Sequence, residues 1–340
     1  MKKRTRREFV KAGVAGALGL GIGGGAAARE LIGGGAELAK NEAGKNHEAA
    51  ASGRMSAEAA AANSATGRET SGRAAGPLPI TKGLVYDMLP AGLSVAERFK
   101  LARDTGFDVV QANTTPDLRE AEEIKKAAEA AGIRIDSVMN MDHWKYPLSS
   151  SDSAVVAKSM AGMRTSLHNA KLWGSDAVLL VPAVVNPQTT YLEAWTRSQK
   201  QIRELIPLAA ELKVVIAIEE VWNKFLLSPL EMKKYIAEFE SPWIKSWFDV
   251  GNVVLYGYPQ DWIHTLGKSI AHVHLKDFKR KENGYAWVNL GDGDVDWPAV
   301  RQAFADIGYR GSAIAELDGG DEAYLRDVSK RIDRLVVVGA

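Results

Sequence analysis

Apolar residues from position 78 onward fall in short runs separated by longer amphipathic stretches, and the pattern repeats about every 30 residues. The runs are rich in β-branched residues, which is typical of parallel strands buried between two layers. Eight strands are predicted, over residues 83–89, 109–113, 133–140, 177–183, 214–220, 245–252, 270–277 and 312–317. Helical spacing of apolar positions predicts helices over 94–105, 118–131, 153–173, 191–212, 229–239, 259–266, 297–307 and 321–338.

Eight consecutive β/α units predict a (β/α)8 TIM barrel, a single domain over residues 78–340 that fits the usual size of about 250 residues. The 46% hydrophobic content is enough for one large core. An open doubly wound sheet is the alternative architecture. No Gly-x-Gly-x-x-Gly motif follows the first predicted strand, and the glycine cluster at 19–25 lies far ahead of the barrel. A dinucleotide site therefore has no support.

The N-terminus carries the pattern of an export signal. Paired arginines, Arg6 and Arg7, are followed by Phe9 and Lys11, and then by a weakly apolar Gly/Ala run over 12–28. A basic start, an apolar middle and small residues at the end are typical of a secretory signal, and the paired arginines resemble a twin-arginine signal. We therefore expect residues 1–28 to direct export to the periplasm or another extracytoplasmic space. A basic tail or a membrane anchor is the alternative, but the run is short and glycine-rich for a span of about 20 apolar residues, so no stable membrane span is expected after cleavage.

Residues 29–77 form a low-complexity segment of Ala, Gly, Ser and Glu with scattered Lys and Arg. Such a composition buries too little apolar surface to offset the entropy of ordering the chain. We interpret it as a disordered linker without catalytic content.

Charge and cysteine content exclude several classes of function. The chain has 43 basic and 42 acidic residues, a formal net charge of +1, and no concentrated basic patch, so no nucleic-acid partner is expected. It contains no cysteine, which excludes disulfides and thiolate metal sites. Any metal must be bound by His and carboxylate side chains, and such ligands suit one divalent ion of Mn, Mg, Co or Zn.

Four consecutive predicted strands end in residues that bind metals. Strand five ends in Glu219-Glu220, strand six in Asp249, strand seven carries His272 and His274, and the last strand ends in Glu316. Because the carboxyl ends of barrel strands meet at one face, these side chains should converge. Buried carboxylates are costly unless they are paired or bind a cation, so the convergence indicates a divalent metal site.

Strand alternation separates neighbouring candidates on the same strand. Ile218 and Glu220 share the face with bulky apolar residues, so Glu219 should point into the barrel. By the same rule His272 and His274 both point inward, one layer apart. His274 lies nearer the end of its strand and is the better ligand, and His272 would orient another group or contact the substrate.

The strand ends, together with Gly291-Asp292-Gly293-Asp294 and Gly308-Tyr309-Arg310-Gly311, resemble the xylose isomerase-like, AP-endonuclease-type TIM-barrel superfamily over about residues 82–334. This resemblance implies a sugar isomerase or a ketose 3-epimerase, with one divalent ion bound by Glu219, Asp249, His274 and Glu316. Members commonly have Glu-Asn where this chain has Glu219-Glu220, which leaves open which glutamate is the ligand. Many epimerases have His where this chain has Asn252.

The implied chemistry is proton transfer at the carbon next to a ketose carbonyl, through an enediolate that the ion stabilises. Glu219 and Glu316 would remove and return the proton, and the sequence does not decide between isomerisation and epimerisation. The expected partner is a small sugar, free rather than phosphorylated because the protein is expected to be exported, although Lys276 and Lys279 could bind a phosphate. Substrate contacts are predicted for Asn113, His143, Trp144, Trp222, Asn252, His272 and Lys276.

Three other functions share parts of this pattern. A metal-dependent lyase, such as a dehydratase acting on a keto-inositol or keto-sugar, would use the same ion and base. A non-catalytic sugar-binding barrel would bind sugar without turnover. The endonuclease branch of the fold needs about five histidines around three zinc ions, whereas His168 and His264 lie in predicted helices. A homo-oligomer is possible for any of these.

Overall fold

The computed structural model describes residues 76–140, 142–282 and 284–339. The predicted signal at 1–28, and all of the predicted linker except its last two residues, lie outside the described residues. Their prediction is therefore not tested by the structure.

Eight parallel strands close into a barrel, which confirms the predicted (β/α)8 fold. Going round the barrel, the strands are β1 (Thr81–Val85), β2 (Val109–Asn113), β3 (Arg134–Met139), β4 (Ala177–Leu180), β5 (Val215–Glu219), β6 (Ile244–Asp249), β7 (Ile270–Leu275) and β10 (Ser312–Ala315). Pairing of β10 with β1 closes the ring, so the barrel has no free edge. We call the end at the carboxyl ends of the strands the mouth and the opposite end the base.

In the described part of the chain, eight α-helices follow the strands. They are α1 (Val95–Asp104), α2 (Leu118–Ala131), α3 (Ser153–Trp173), α4 (Tyr191–Leu212), α5 (Pro229–Ala237), α6 (Pro259–Leu266), α7 (Trp297–Asp306) and α8 (Glu322–Ile332). Their starts are encoded locally. Ser94 with Glu97 and Thr190 with Glu193 form capping boxes, in which side chain and backbone satisfy each other's amide groups.

The strand side chains divide between two environments. On β5, Ile216 and Ile218 alternate with Ala217 and Glu219, and all four are fully buried. The isoleucines face the helices and contribute to the apolar layer between sheet and helices, whereas Glu219 points into the barrel. Each strand therefore carries an apolar outer face and an inner face that can hold polar groups.

Two features differ from the sequence-based expectation. The seventh barrel strand ends at Leu275 rather than at Asp277, because Asp277 starts a separate antiparallel hairpin, β8 (Asp277–Lys281) with β9 (Gly284–Val288). The sequence pattern did not predict this hairpin, because four of the five residues of its first strand are charged, which is typical of a loop. The last helix ends at Ile332 and continues as a π-helical turn, Asp333–Val337.

Among the described residues, none of the helices combines the length and the apolar character needed to cross a lipid bilayer.

Candidate metal and active site

Four side chains from four adjacent strands meet inside the mouth. Glu219, Asp249, His274 and Glu316 each offer one ligand atom, and these atoms all lie within 4.8 Å of one another. Glu219, Asp249 and His274 are fully buried, and the Glu316 side chain is 16% exposed. Three carboxylates and one imidazole in so small a volume require positive charge. Their oxygen and nitrogen donors suit a divalent cation of intermediate hardness.

His274 presents one ring nitrogen to the carboxylates. Its Nδ1 lies 2.8 Å from Glu219 Oε1, 3.2 Å from Glu316 Oε2 and 3.9 Å from Asp249 Oδ2. Burial alone would lower the pKa of His274, but the charges of Glu316 and Glu219 outweigh it and raise this pKa to about 9. Burial also raises the pKa of Asp249 to about 6, against the opposing effect of the Lys276 charge. The cluster therefore favours positive charge, which a proton on His274 or a metal ion would supply.

The other ring nitrogen of His274 faces Gln111, a residue that the sequence reasoning missed. His274 Nε2 lies 2.8 Å from Gln111 Oε1, and Gln111 is buried on β2. When Nε2–H donates to this oxygen, the lone pair of Nδ1 in the neutral ring is left for a metal. The sequence did carry a signal, since Gln111 is a polar residue in the middle of β2, between the apolar residues Val110 and Ala112.

Glu219 rather than Glu220 joins the cluster. Glu220 points away from the barrel interior, and its Oε1 accepts a hydrogen bond of 2.7 Å from the Asp249 backbone amide. Burial and the nearby Asp249 charge raise the pKa of Glu220 well above its usual value. The two glutamates thus have different tasks, since one faces the cation position and the other holds the backbone of a ligand.

The Asp249 side chain is fixed by the turn that follows it. Its Oδ1 accepts hydrogen bonds of 2.9 Å from the backbone amides of Gly251 and Asn252. Its Oδ2 faces His274 and lies 2.8 Å from Lys276 Nζ. One oxygen is therefore used to orient the carboxylate, and the other is directed into the cluster.

Comparisons with known proteins agree with this geometry. The family described as xylose isomerase-like TIM barrel matches residues 99–335. The chain belongs to this family. L-ribulose-5-phosphate 3-epimerase UlaE of Escherichia coli O1:K1 / APEC is 28% identical over 251 residues, which cover 70% of this chain and 87% of that protein.

Solved structures show the same fold. That of 3-keto-D-glucoside 4-epimerase YcjR from E. coli has a TM-score of 0.62 at 15% identity, covering 73% of this chain and 97% of that one. D-psicose 3-epimerase from Clostridium cellulolyticum H10 has a TM-score of 0.62 at 19% identity, covering 75% and 97%. The predicted membership is confirmed. The named relatives are sugar epimerases, which agrees with the predicted class of sugar isomerase or epimerase.

Within this family barrel, an aromatic cluster stands beside the cation position. Trp222 follows β5, and Phe278, Tyr285 and Trp287 belong to the β8–β9 hairpin. The ring of Trp222 lies 4.8 Å from that of Tyr285 and 5.1 Å from that of Trp287. Trp287 is 38% exposed, so part of an aromatic face is open to a ligand. Stacking of Trp222 on a sugar stays a prediction, and the structure places Trp287, a hairpin residue that was not predicted, directly beside it.

Asn252 connects the ends of two neighbouring strands. Its side-chain amide donates a 2.9 Å hydrogen bond to the backbone carbonyl of Glu220. Its backbone carbonyl accepts a hydrogen bond of 2.9 Å from the Trp222 indole. These bonds tie the ends of β5 and β6 together. The bond to Glu220 uses only one of the two N–H groups of the Asn252 amide, so substrate contact by Asn252 stays a prediction.

The structure does not bring His272 to the mouth. Its Nε2 lies 2.6 Å from Asp176 Oδ1, and Asp176 directly precedes β4 at the base of the barrel. The ring of Trp247 stacks on His272 at 5.0 Å and meets His274 edge-on at 4.9 Å, so it lies against both histidines. The expected substrate contact of His272 is therefore corrected, because the residue is part of a network at the base.

The remaining predicted contacts lie near other strand ends. Asn113 donates a 2.7 Å hydrogen bond to Asp87. His143 is buried, accepts a 3.3 Å hydrogen bond from the Val181 amide at Nδ1, and meets the Trp144 ring edge-on at 5.7 Å. Substrate contact by Asn113, His143 and Trp144 stays a prediction.

Asp277, two residues after the end of β7, connects this strand end to the Gly291-Asp292-Gly293-Asp294 motif. Its buried carboxylate accepts hydrogen bonds from the backbone amides of Gly291 and Gly293, at 2.8 and 3.2 Å, and from the Trp297 indole, at 2.9 Å. A Cβ at position 293 would lie 2.1 Å from Asp277 Oδ1, so only glycine fits there. Asp277 thus fixes the loop after the hairpin and has a structural rather than a catalytic task.

Proposed function

We propose that this chain is a divalent-metal-dependent epimerase that acts on an unphosphorylated ketose or keto-sugar. The observation that carries the proposal is the convergence of Glu219, Asp249, His274 and Glu316 at the mouth of a barrel whose relatives are sugar epimerases. Mn²⁺, Mg²⁺, Co²⁺ and Zn²⁺ all fit the three oxygen donors and one nitrogen donor. Once bound, such an ion would polarise a carbonyl and increase the acidity of the neighbouring carbon.

The side chains supply the proton transfer. Glu219 and Glu316 both reach His274 Nδ1, at 2.8 and 3.2 Å, from strands β5 and β10. One carboxylate would take the proton from the reacting carbon, and the other would return a proton to the opposite face. Two bases on different strands suit epimerisation, because inversion needs one group on each face of the substrate.

The cationic side chains near the mouth favour a neutral sugar over a sugar phosphate. Lys276 is bonded to two carboxylates, Lys279 Nζ donates to the Asp292 carbonyl at 3.2 Å, and Arg280 donates to the Val254 carbonyl. All three cations thus have protein partners, so binding a phosphate would require one of these bonds to be given up. The half-exposed face of Trp287 instead suits the apolar face of a sugar ring.

The test is elemental analysis of the purified full-length chain together with ketose incubation in D₂O. We expect about one divalent ion per chain and deuterium at one stereocentre of an epimerised free ketose. Deuterium incorporation and epimerisation should both stop on chelation and return when the ion is added back. Loss of water from the substrate would favour the lyase, and preference for sugar phosphates would contradict the proposed substrate class. Metal-free sugar binding without exchange would favour the binding barrel.

We also propose export by the twin-arginine route, supported by the pattern around Arg6 and Arg7. Residues 1–77 fused to a folded reporter should carry it across the inner membrane, and Arg6→Lys with Arg7→Lys should retain it inside. Equal export of both fusions would contradict the assignment. A homo-oligomer stays a prediction, which light scattering of the purified chain would test.

A further inference from the structure

Lys276 occupies an unusual position among the ligands. Its Nζ lies 2.8 Å from Asp249 Oδ2 and 2.7 Å from Glu316 Oε2, and its side chain is only 13% exposed. Its stem packs tightly against Gly251, where a Cβ would lie 2.5 Å from Lys276 Cγ. The glycine therefore allows the lysine to run close along the turn after Asp249 and to place its ammonium between the two carboxylates.

The same two carboxylates belong to the four-residue metal group. A divalent ion sits about 2.0–2.2 Å from a carboxylate oxygen, so an ion on these oxygens would lie no more than about 5 Å from the ammonium. Two cations at such a distance in a buried site repel strongly. The ammonium and the metal ion must therefore compete for Asp249 and Glu316.

A second favourable position for the Lys276 ammonium lies nearby, over the ring of Trp287. Lys276 Nζ already lies 5.2 Å from the centroid of the Trp287 ring, within the range of a cation–π contact. A small movement of the flexible side chain away from the carboxylates would keep this contact. The hairpin thus offers the ammonium a favourable position outside the coordination sphere.

We propose that Lys276 is an internal counter-cation of the metal site. It holds the Asp249 and Glu316 carboxylates together when no ion is bound, and it lowers the affinity for the divalent ion by competing for the same two groups. This inference rests on the proposed metal site but not on the identity of the substrate, and its test measures ion binding and stability rather than turnover.

The experiment compares Lys276→Met with Lys279→Met in the full-length chain. Lys279 is a matched control, because it lies three residues further on and its Nζ contacts only the exposed Asp292 carbonyl among its described partners. Chelator-treated proteins are titrated with Co²⁺ and followed by calorimetry and visible absorption. We expect Lys276→Met to bind Co²⁺ at least about tenfold more tightly than the wild type, and Lys279→Met to be unchanged.

Thermal unfolding with and without Co²⁺ supplies the second readout. Lys276→Met should lower the melting temperature of the metal-free protein but much less that of the Co²⁺-saturated protein, whereas a merely structural lysine would lower both equally. Lys276→Arg, which keeps the charge, should preserve the wild-type affinity. If Lys276→Met does not fold without metal, Lys276→Gln provides the same comparison.

Co²⁺ affinity that is unchanged or weaker in Lys276→Met, with normal binding by the wild type, would overturn this inference alone. Binding by neither protein would overturn the inference together with the proposed metal-dependent function. Binding by Lys276→Met but not by the wild type would support the inference in its strongest form.

Discussion

His272 and His274 stand two residues apart on one strand and face the same barrel interior, yet their surroundings differ. At the mouth, three carboxylates surround Nδ1 of His274. At the base, His272 bonds to Asp176, and Asp136 lies 3.9 Å away. The two sites contain the same residue types, so what separates a metal site from a structural network is the way the carboxylates are satisfied.

At the base, the buried Asp136 is satisfied by neutral donors. Asp136 accepts hydrogen bonds from the hydroxyls of Ser137 and Ser312, and burial raises its pKa. Burial would lower the pKa of His272, but the hydrogen bond to Asp176 and the charge of Asp136 outweigh it and raise this pKa. The mouth has a surplus of negative charge that hydroxyl groups do not neutralise. A surplus of carboxylates over donors is therefore the feature that marks the functional end.

The largest difference between the mouth and the base is expected in kcat. Glu316→Gln at the mouth should lower kcat by about 10²- to 10⁴-fold, because it removes a proton-transfer group while its amide oxygen can still bind the ion. Asp136→Asn at the base should leave kcat nearly unchanged. Steady-state kinetics with metal analysis would check both. Normal kcat in Glu316→Gln would refute the proton-transfer role.

Metal binding should depend on pH at the mouth. A pKa of about 9 for His274 means that its ring must lose a proton to accept a metal. Apparent metal affinity should therefore rise about tenfold per pH unit from neutral pH until it levels off near the pKa. The raised pKa also stabilises the metal-free fold at lower pH, and this contribution is lost as the pH rises through about 9. Calorimetry at several pH values measures the slope, and a flat profile would mean that the proton is not displaced.

Gln111 should control the affinity through His274. Gln111→Leu removes the acceptor for Nε2–H, and loss of such a supporting hydrogen bond typically weakens metal binding by about 10- to 100-fold. Asn113→Ala, on the same strand, should leave metal affinity unchanged, since Asn113 is bonded to Asp87. Competition with a chelating dye gives both constants. Equal losses in the two variants would indicate a general disturbance of β2.

The smallest effect is expected at the base, and on stability rather than on binding. His272→Leu breaks the bond to the exposed Asp176 and removes the imidazole beside the buried Asp136. It should lower the free energy of unfolding by about 1–3 kcal/mol, the usual range for a buried polar group that loses its partner. Urea unfolding measures the loss, and calorimetry should find normal metal affinity. Weaker metal binding with full stability would place His272 in the function of the mouth after all.

Much of the barrel could be predicted because each strand is encoded by a short, continuous pattern in the sequence. Apolar runs gave the strands, and the residues at their carboxyl ends gave Glu219, Asp249, His274 and Glu316, since barrel topology brings these ends together. Alternation along β5 also separated Glu219 from Glu220. These predictions depend only on strand period and strand order.

The remaining features depend on contacts between distant segments. Gln111 reaches His274 across the barrel, 163 positions away, and alternation placed His272 on the inner face without saying which end its ring would reach. Strand β8 consists mostly of charged residues and has no clear apolar alternation, so its pairing with β9 could not be inferred from the hydrophobic period. Asp277 was conspicuous, but its partners lie in a loop whose path depends on the hairpin.

The residues just before β1 determine the face of the barrel at which a fusion or a support can be attached. Gly76 accepts a hydrogen bond from Arg301, and the Leu78 amide donates to the Val337 carbonyl at 2.8 Å, just before β1 begins at the base. A fusion made directly ahead of Gly76 is therefore attached at the base, on the face opposite the mouth. Immobilisation on a resin or an electrode through this side should therefore leave diffusion of small sugars into the opening unobstructed.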